Sequence, residues 1–310
     1  MLKKRTKQTM LLLCLSAVIG LSACGGQQSP GGETTGTGTE KLKVSVTFNA
    51  MREFVHAVGG DKVEISTMIP DGTEPHAFEP KARELAALST ADVFVYNGLG
   101  MEAWASEAVQ AANNANLLVV DASKGADVIQ NTEQEEIEEH GQYDPHLWLS
   151  LKGAAAEVKN IRDALTQADA DNKAYYEKNC ADFTARLDAL YNEYDAKFRA
   201  AKNKSFVTGH AAFAYLCREF GLEQNSVEDT FAEGEPSARQ LAELTQYCRD
   251  NGVTTVFAEE MASPEVSETL AAEVGAKVET IYTIESAEED KTYLERMTEN
   301  LEKIYASVSE

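Results

Sequence analysis

The chain has 310 residues, 43% of them apolar and 25% charged, with 51 acidic side chains against 28 basic ones. Those proportions place it among globular proteins and leave room for two domains at about 100–200 residues each. A net charge of −23 repels phosphate backbones and anionic headgroups, which excludes nucleic acid as a natural partner and favours cations or basic surfaces.

The N-terminus reads as an address. A basic start (Lys3, Lys4, Arg5, Lys7) precedes an apolar run from Met10 to Ala23. That run falls short of the ~20 residues of a spanning helix and has the layout of a signal peptide over residues 1–23. It closes on Leu21-Ser22-Ala23-Cys24, which resembles the bacterial lipobox, where the cysteine is lipidated and becomes the first mature residue. An ordinary signal with a chance cysteine is the alternative. Residues 24–40 then carry Gly, Ser, Thr, Gln and Pro without a large apolar side chain, the composition of a flexible tether. The expected location is extracytoplasmic, anchored to the cell membrane through Cys24.

Ordered sequence starts near Lys41. Lys43–Phe48 and Lys62–Ile69 alternate as strands do, while Asp92–Tyr96 and Leu117–Val120 read as buried strands. Helical stretches stand between them, at Pro80–Leu88 and Glu102–Ala112. From Lys152 to about Lys202 the pattern is entirely helical, with a break near Ala168–Asp171 and an apolar stripe of Phe183, Leu187, Leu190, Tyr194 and Phe198. A second alternating half follows: strand Ser205–Thr208, helices Ala211–Phe220 and Ala238–Asn251, strand Thr254–Ala258, helix Glu265–Val274 and a last helix from about Lys291 to Ala306. The expected fold is α/β, with two lobes that each hold a mostly parallel, helix-flanked sheet, joined by one long rigid helix. The expected boundaries are 41–165 for the first lobe, 166–203 for the linker and 204–310 for the second lobe.

Of the five histidines, three share a context. His76, in Pro70-Asp-Gly-Thr-Glu-Pro-His76, follows a strand of the first lobe; His210, in Phe206-Val-Thr-Gly-His210, follows a strand of the second. His146 sits in the Pro-fixed loop Tyr143-Asp-Pro-His146. Ligand sites of open α/β sheets form outside the carboxyl ends of strands, and imidazole is the commonest metal ligand. The alternative is three unrelated loop histidines, because their spacing matches no local metal motif. His56 reads as a structural residue of a short amphipathic helix. His140 ends an acidic run with five glutamates between Glu133 and Glu139. That run is either a solvated loop or a cation-collecting one, with Glu139 and His140 as accessory ligands. Cys217 and Cys248, on successive helices, could form a disulfide in an oxidising compartment. Three buried free thiols, Cys180 included, are the alternative. No GxxxxGK[ST] motif is present, so the chain itself is not expected to hydrolyse ATP.

Four ordered motifs carry a resemblance. Ile69-Pro-Asp-Gly-Thr-Glu-Pro-His-Ala-Phe-Glu-Pro80 and Tyr96-Asn-Gly-Leu-Gly-Met-Glu102 resemble the zinc/manganese type of solute-binding lipoprotein of bacterial ABC importers. Asp144-Pro-His-Leu-Trp-Leu-Ser150 and Thr208-Gly-His-Ala-Ala-Phe-Ala-Tyr215 are similar to that family's further signatures. The resemblance extends from about Lys41 to the C-terminus. It implies one metal ion in the cleft between two lobes, held by His76, His146 and His210. A carboxylate completes the set; Tyr282-Thr-Ile-Glu-Ser286 resembles the ligand segment of zinc-type members, which assigns Glu285, with Glu259 and Glu260 as the fallback. Manganese-type relatives tend to carry a carboxylate where His210 stands, so three imidazoles favour Zn²⁺ over Mn²⁺. Two features depart from the family pattern. The loop before His146 is acidic where many zinc members are His-rich, and Arg52 stands where a neutral residue is usual.

The function so implied is high-affinity capture of zinc and delivery to a membrane permease powered by a separate ATPase. The protein is then a monomer on a lipid anchor and not an enzyme. The alternatives are a manganese-binding counterpart, a metal-dependent hydrolase, or a surface adhesin with a structural metal.

Overall fold

The computed structural model describes residues 40–132, 137, 141–230, 232, 236–260, 264–287 and 289–309. Residues 1–39, which take in the expected signal, Cys24 and all but the last residue of the expected tether, lie outside the described residues, as do the accessory candidates Glu139 and His140.

The first lobe runs β1 (Leu42–Val46), α1 (Asn49–Gly59), β2 (Val63–Thr67), α2 (Ala82–Leu88), β3 (Val93–Tyr96), α3 (Ala105–Ala112) and β4 (Leu118–Asp121). Its strands are all parallel, in the order β2-β1-β3-β4. Val44, Ser45 and Val46 are buried in succession, the pattern of a parallel strand covered on both faces. Two helices follow, α4 (Leu151–Ala168) and α5 (Lys173–Ala200). The second lobe repeats the plan with β5 (Ser205–Thr208), α6 (Ala214–Phe220), β6 (Glu223–Ser226), α7 (Ala238–Asp250), β7 (Thr255–Glu259), α8 (Glu265–Val274) and β8 (Lys277–Ile281), before α9 (Tyr293–Ser309). Its sheet is also parallel, ordered β6-β5-β7-β8. In each sheet the chain turns first to one side of the opening strand and then to the other. A crevice therefore opens at the carboxyl ends of β1 and β3, and again at those of β5 and β7.

The long helix α5 spans 28 residues, about 42 Å at the usual rise. Tyr176, Cys180, Phe183, Leu187, Tyr194 and Phe198 form its buried stripe. The break before it is held by Asp169, whose carboxylate accepts from Tyr176 Oη and Asn172 Nδ2 (both 2.7 Å). One core runs through both lobes. Phe54 of α1 meets Tyr293 of α9 edge-on at 4.8 Å and Phe183 of α5 at 6.1 Å. Tyr293, the first residue of the last helix, thereby touches both the first lobe and the long helix.

Several expected elements start late for local reasons. α2 begins at Ala82 because Glu84 folds back to accept the Lys81 N–H (3.0 Å). α3 begins at Ala105 because the Glu102 carboxylate is engaged by Asn97 and Gly98 in the preceding turn. The strands β6 and β8 were not expected; both are edge strands, and Glu-Gln-Asn-Ser is a polar sequence with low strand propensity.

The disulfide between Cys217 and Cys248 is not formed: Cys180, Cys217 and Cys248 are all free and buried. Strand alternation explains this. Phe206 and Phe257 point to the shared core, where Cys217 packs with Phe220, whereas Val207 and Val256 point to a separate outer cluster, where Cys248 packs with Leu244. The two thiols lie on opposite faces of one sheet.

Glu157 of α4 is fully buried, and neither of its carboxylate oxygens has a hydrogen-bond partner. Burial, with Glu102 and Asp121 adding to it, raises its pKa well above the usual range, so the folded protein holds it protonated at neutral pH. The unfolded chain ionises it above about pH 4.3, which costs folding stability about 1.4 kcal/mol per pH unit until the folded pKa is reached. Glu157→Met is therefore expected to raise the melting temperature, by more at pH 7.5 than at pH 5. A lower melting temperature at both values would contradict this.

Candidate metal centre

His76, His146, His210 and Glu285 come together between the lobes, with one ligand atom from each lying within 4.8 Å of the others. His76 ends the loop after β2, where Glu74 Oε1 accepts its N–H (3.0 Å) and turns the chain. His146 follows Pro145, whose carbonyl is held by Asn97 Nδ2 (2.9 Å) at the end of β3. Glu102 braces the same place, taking Thr47 Oγ1 (2.7 Å) and the N–H groups of Asn97 and Gly98 (both 3.0 Å). After His146 a short 3₁₀ turn leads to Ser150, whose hydroxyl caps α4 at Gly153 N (3.1 Å). His210 follows β5, and its backbone N–H donates to Glu259 Oε1 (3.0 Å). That carboxylate reaches in only because residue 209 is glycine: a β-carbon there would collide with it. Glu285 sits beyond β8, with Oε2 accepting from Thr283 Oγ1 (2.9 Å) and Oε1 buried without a hydrogen-bond donor.

The spacing suits a small tetrahedral ion. His146 Nε2 lies 3.2 Å from His76 Nε2 and 3.3 Å from His210 Nε2. Nitrogens around tetrahedral zinc at 2.0–2.1 Å stand about 3.3–3.4 Å apart. Glu285 Oε1 is 3.9 Å from His76 Nε2 and 4.0 Å from His146 Nε2. The rings of all three histidines are buried.

The candidate ligands are supported and charged differently. Asp144 Oδ1 lies 2.9 Å from His146 Nδ1 and also accepts the His146 N–H (2.9 Å). Burial, and then the nearby His210, push His146 well below the ordinary imidazole range, so the ring is neutral. Its Nδ1–H goes to Asp144, which leaves the Nε2 lone pair for a cation. Tyr215 Oη fixes the same loop through the Asp144 carbonyl (2.7 Å). His210 behaves oppositely: burial disfavours its charge, but Glu259, Glu285 and Glu74 outweigh that and raise it to about 9. Burial, followed by the proximity of Glu74, raises Glu285 to about 8. Without a cation, His210 and Glu285 therefore carry exchangeable protons at neutral pH.

The fallback carboxylates have other tasks. Glu259 supports the His210 backbone, with Oε1 3.6 Å from Nδ1, and Glu260 accepts the N–H groups of Thr283 and Ile284 (2.9 and 3.0 Å) to shape the Glu285 loop. His56 is exposed on α1, outside the cluster. Sequence reasoning gave no role to Asp144, Asn97, Glu102 or Tyr215. All four stand inside the quoted motifs, which is the signal that could have singled them out.

Residues 44–307 match the family described as zinc-uptake complex component A, periplasmic. A putative metal-binding protein of Treponema pallidum is 43% identical over 281 residues, covering 88% of this chain and 89% of the relative. The high-affinity zinc uptake system protein ZnuA of Bacillus subtilis is 37% identical, covering 99% of both chains. Among solved structures, the laminin-binding protein Lmb of Streptococcus agalactiae, described as bifunctional with adhesin and metal transporting activity, superposes with a TM-score of 0.80. It is 33% identical and covers 87% of this chain and 100% of its own. With its two parallel-sheet lobes, long central helix and inter-lobe cluster, this chain belongs to the ZnuA family of zinc-uptake solute-binding components.

Proposed function

We propose that the chain captures one zinc ion between its lobes, with His76, His146, His210 and Glu285 as ligands, and passes it to a membrane permease driven by a separate ATPase. The observation that carries this reading is the convergence of three imidazoles and one carboxylate from both lobes within 4.8 Å. Nitrogen-rich tetrahedral sets suit zinc, whereas manganese takes more oxygen. Four protein ligands also close the shell; catalytic zinc usually keeps three and an open position, so hydrolysis is disfavoured. Bonds from Asp144, Glu259 and Thr283 hold the ligand segments independently of the ion, as a carrier that cycles between loaded and empty states needs. In this reading residues 1–23 are the lipoprotein signal, Cys24 the lipidated anchor and 24–40 the tether. Residues 41–165 and 204–310 are the lobes, 166–203 is the linker, and the working form is a monomer.

Calorimetry on chelator-stripped protein tests the assignment. One tight zinc site, with much weaker manganese binding, is expected, and both His210→Ala and Glu285→Ala should lose affinity. Preference for manganese would overturn the metal, and the lack of a stoichiometric site for either ion would overturn the function.

A further inference from the structure

The backbone from Tyr282 to Ala287, which carries Glu285, belongs to the second lobe in chain order but lies along the seam with the first. Its early donors face the second lobe: Tyr282 N–H goes to Asn300 Oδ1 (2.9 Å), and those of Thr283 and Ile284 go to Glu260. The carbonyls of Tyr282 and Ser286 are also held by the second lobe, by Asn300 Nδ2 and Arg296 Nη1, but the three between them face the first lobe. Thr283 O accepts from Trp148 Nε1 (2.7 Å), Ile284 O from Asn49 Nδ2 (3.2 Å) and Glu285 O from Asn49 N (3.2 Å). Past Glu285 the loop joins the segment that leads to His76: Gly72 N–H donates to Ser286 Oγ (2.8 Å), and Ala287 N–H donates to Asp71 Oδ1 (3.0 Å). Arg52 stands at the branch point, with Nη2 donating to Asn49 Oδ1 (2.7 Å) and Nη1 3.9 Å from Asp71 Oδ2. Within this strip Ile284 takes φ +62°, a left-handed backbone that a β-branched residue adopts only when its surroundings impose it.

We propose that this seam is a latch on metal release, in which Asp71, Ser286 and Arg52 are positioning residues that hold Glu285 against His76. The proposal rests on the ligand assignment above. While the latch is closed, Glu285 Oε1 stays 3.9 Å from His76 Nε2. Parting the lobes breaks the Gly72–Ser286 and Asp71–Ala287 bonds, lets Ile284 relax and carries the carboxylate away from the imidazoles. Each of those bonds is made only across the seam, so weakening one should speed dissociation without loosening either lobe.

The test uses the purified protein loaded with zinc and mixed rapidly with excess chromogenic chelator. The Asp71 side chain is about half exposed, so Asp71→Ala should lower the melting temperature of the metal-free protein by no more than about 2–4 °C. Its zinc dissociation rate is expected to rise about five- to tenfold, the scale of one lost hydrogen bond, with association little altered. Asp71→Asn, whose amide oxygen can still accept from Ala287, should stay within about twofold of the unaltered protein. Ser286→Ala and Arg52→Met should each accelerate release. Wild-type dissociation rates in Asp71→Ala and Ser286→Ala, with one zinc still bound, would overturn the latch and leave the ligand set standing. Asp71→Asn releasing as fast as Asp71→Ala would overturn it too. No stoichiometric zinc site in the unaltered protein would overturn the ligand set, and the latch with it.

Discussion

His146→Ala is expected to weaken zinc binding by about two to three powers of ten. Its Nε2 is the centre of the cluster, 3.2 Å from His76, 3.3 Å from His210 and 4.0 Å from Glu285. Zinc held by four protein ligands binds with ~10–16 kcal/mol, so one ligand is worth about 2.5–4 kcal/mol. Water can replace the missing nitrogen only in part, because the position is fully buried. Asp144→Asn tests the support beneath it. That change keeps the shape but removes the charge that fixes the His146 tautomer, and losses of about 10–100-fold are usual for such outer partners. Competition against a chelator of known affinity at pH 7.5 measures both. An affinity for His146→Ala within tenfold of the unaltered protein would show that the ion does not sit among these nitrogens.

How much of this was legible in the sequence depends on what each residue answers to. Parallel strands such as Val93–Tyr96 announce themselves because burial on both faces demands an unbroken apolar run. The edge strand Glu223–Ser226 is polar and half buried, so nothing in its composition separates it from a loop. His76 and His210 were recognisable as residues just beyond strands, but their meeting point is set by topology. The two sheets bring their carboxyl ends together, and linear spacing has no part in that. Glu259 follows a predicted strand and stood as the fallback to Glu285; Gly209 lets its carboxylate approach the His210 backbone, a packing detail that composition does not show. Glu285 was assigned through resemblance alone, since it stands on an irregular strip after a strand that was not expected. The left-handed Ile284 runs against local preference, and only the bonds around it account for it. Likewise the spacing of Cys217 and Cys248 suggested a pair, while the sheet between them keeps the thiols apart.

Zinc affinity is expected to fall about tenfold between pH 9 and 8 and about a hundredfold for each pH unit below that. Without a metal ion, burial lifts Glu285 to about 8, and the surrounding carboxylates lift His210 to about 9 against the opposing effect of burial. Below pH 8 both groups are protonated, so each bound ion must expel about two protons. Between 8 and 9 it expels about one, and above 9 none from this pair. The stability of the empty protein runs the other way. Both folded pKa values exceed their unfolded values of about 4.3 and 6.5, so the contribution of each group is complete below its unfolded value. It is lost as pH rises through 8 for Glu285 and 9 for His210. Melting curves at pH 6, 7 and 8 should therefore show a zinc-induced gain that widens with pH, since the gain follows the ratio of free ion to dissociation constant. Calorimetry at pH 7 in two buffers of different ionisation enthalpy should count about two protons released per zinc, falling to about one in His210→Ala. A gain that does not change with pH, or a count near zero, would mean that the ion does not displace these protons. His210 and Glu285 would then have to be removed from the site together.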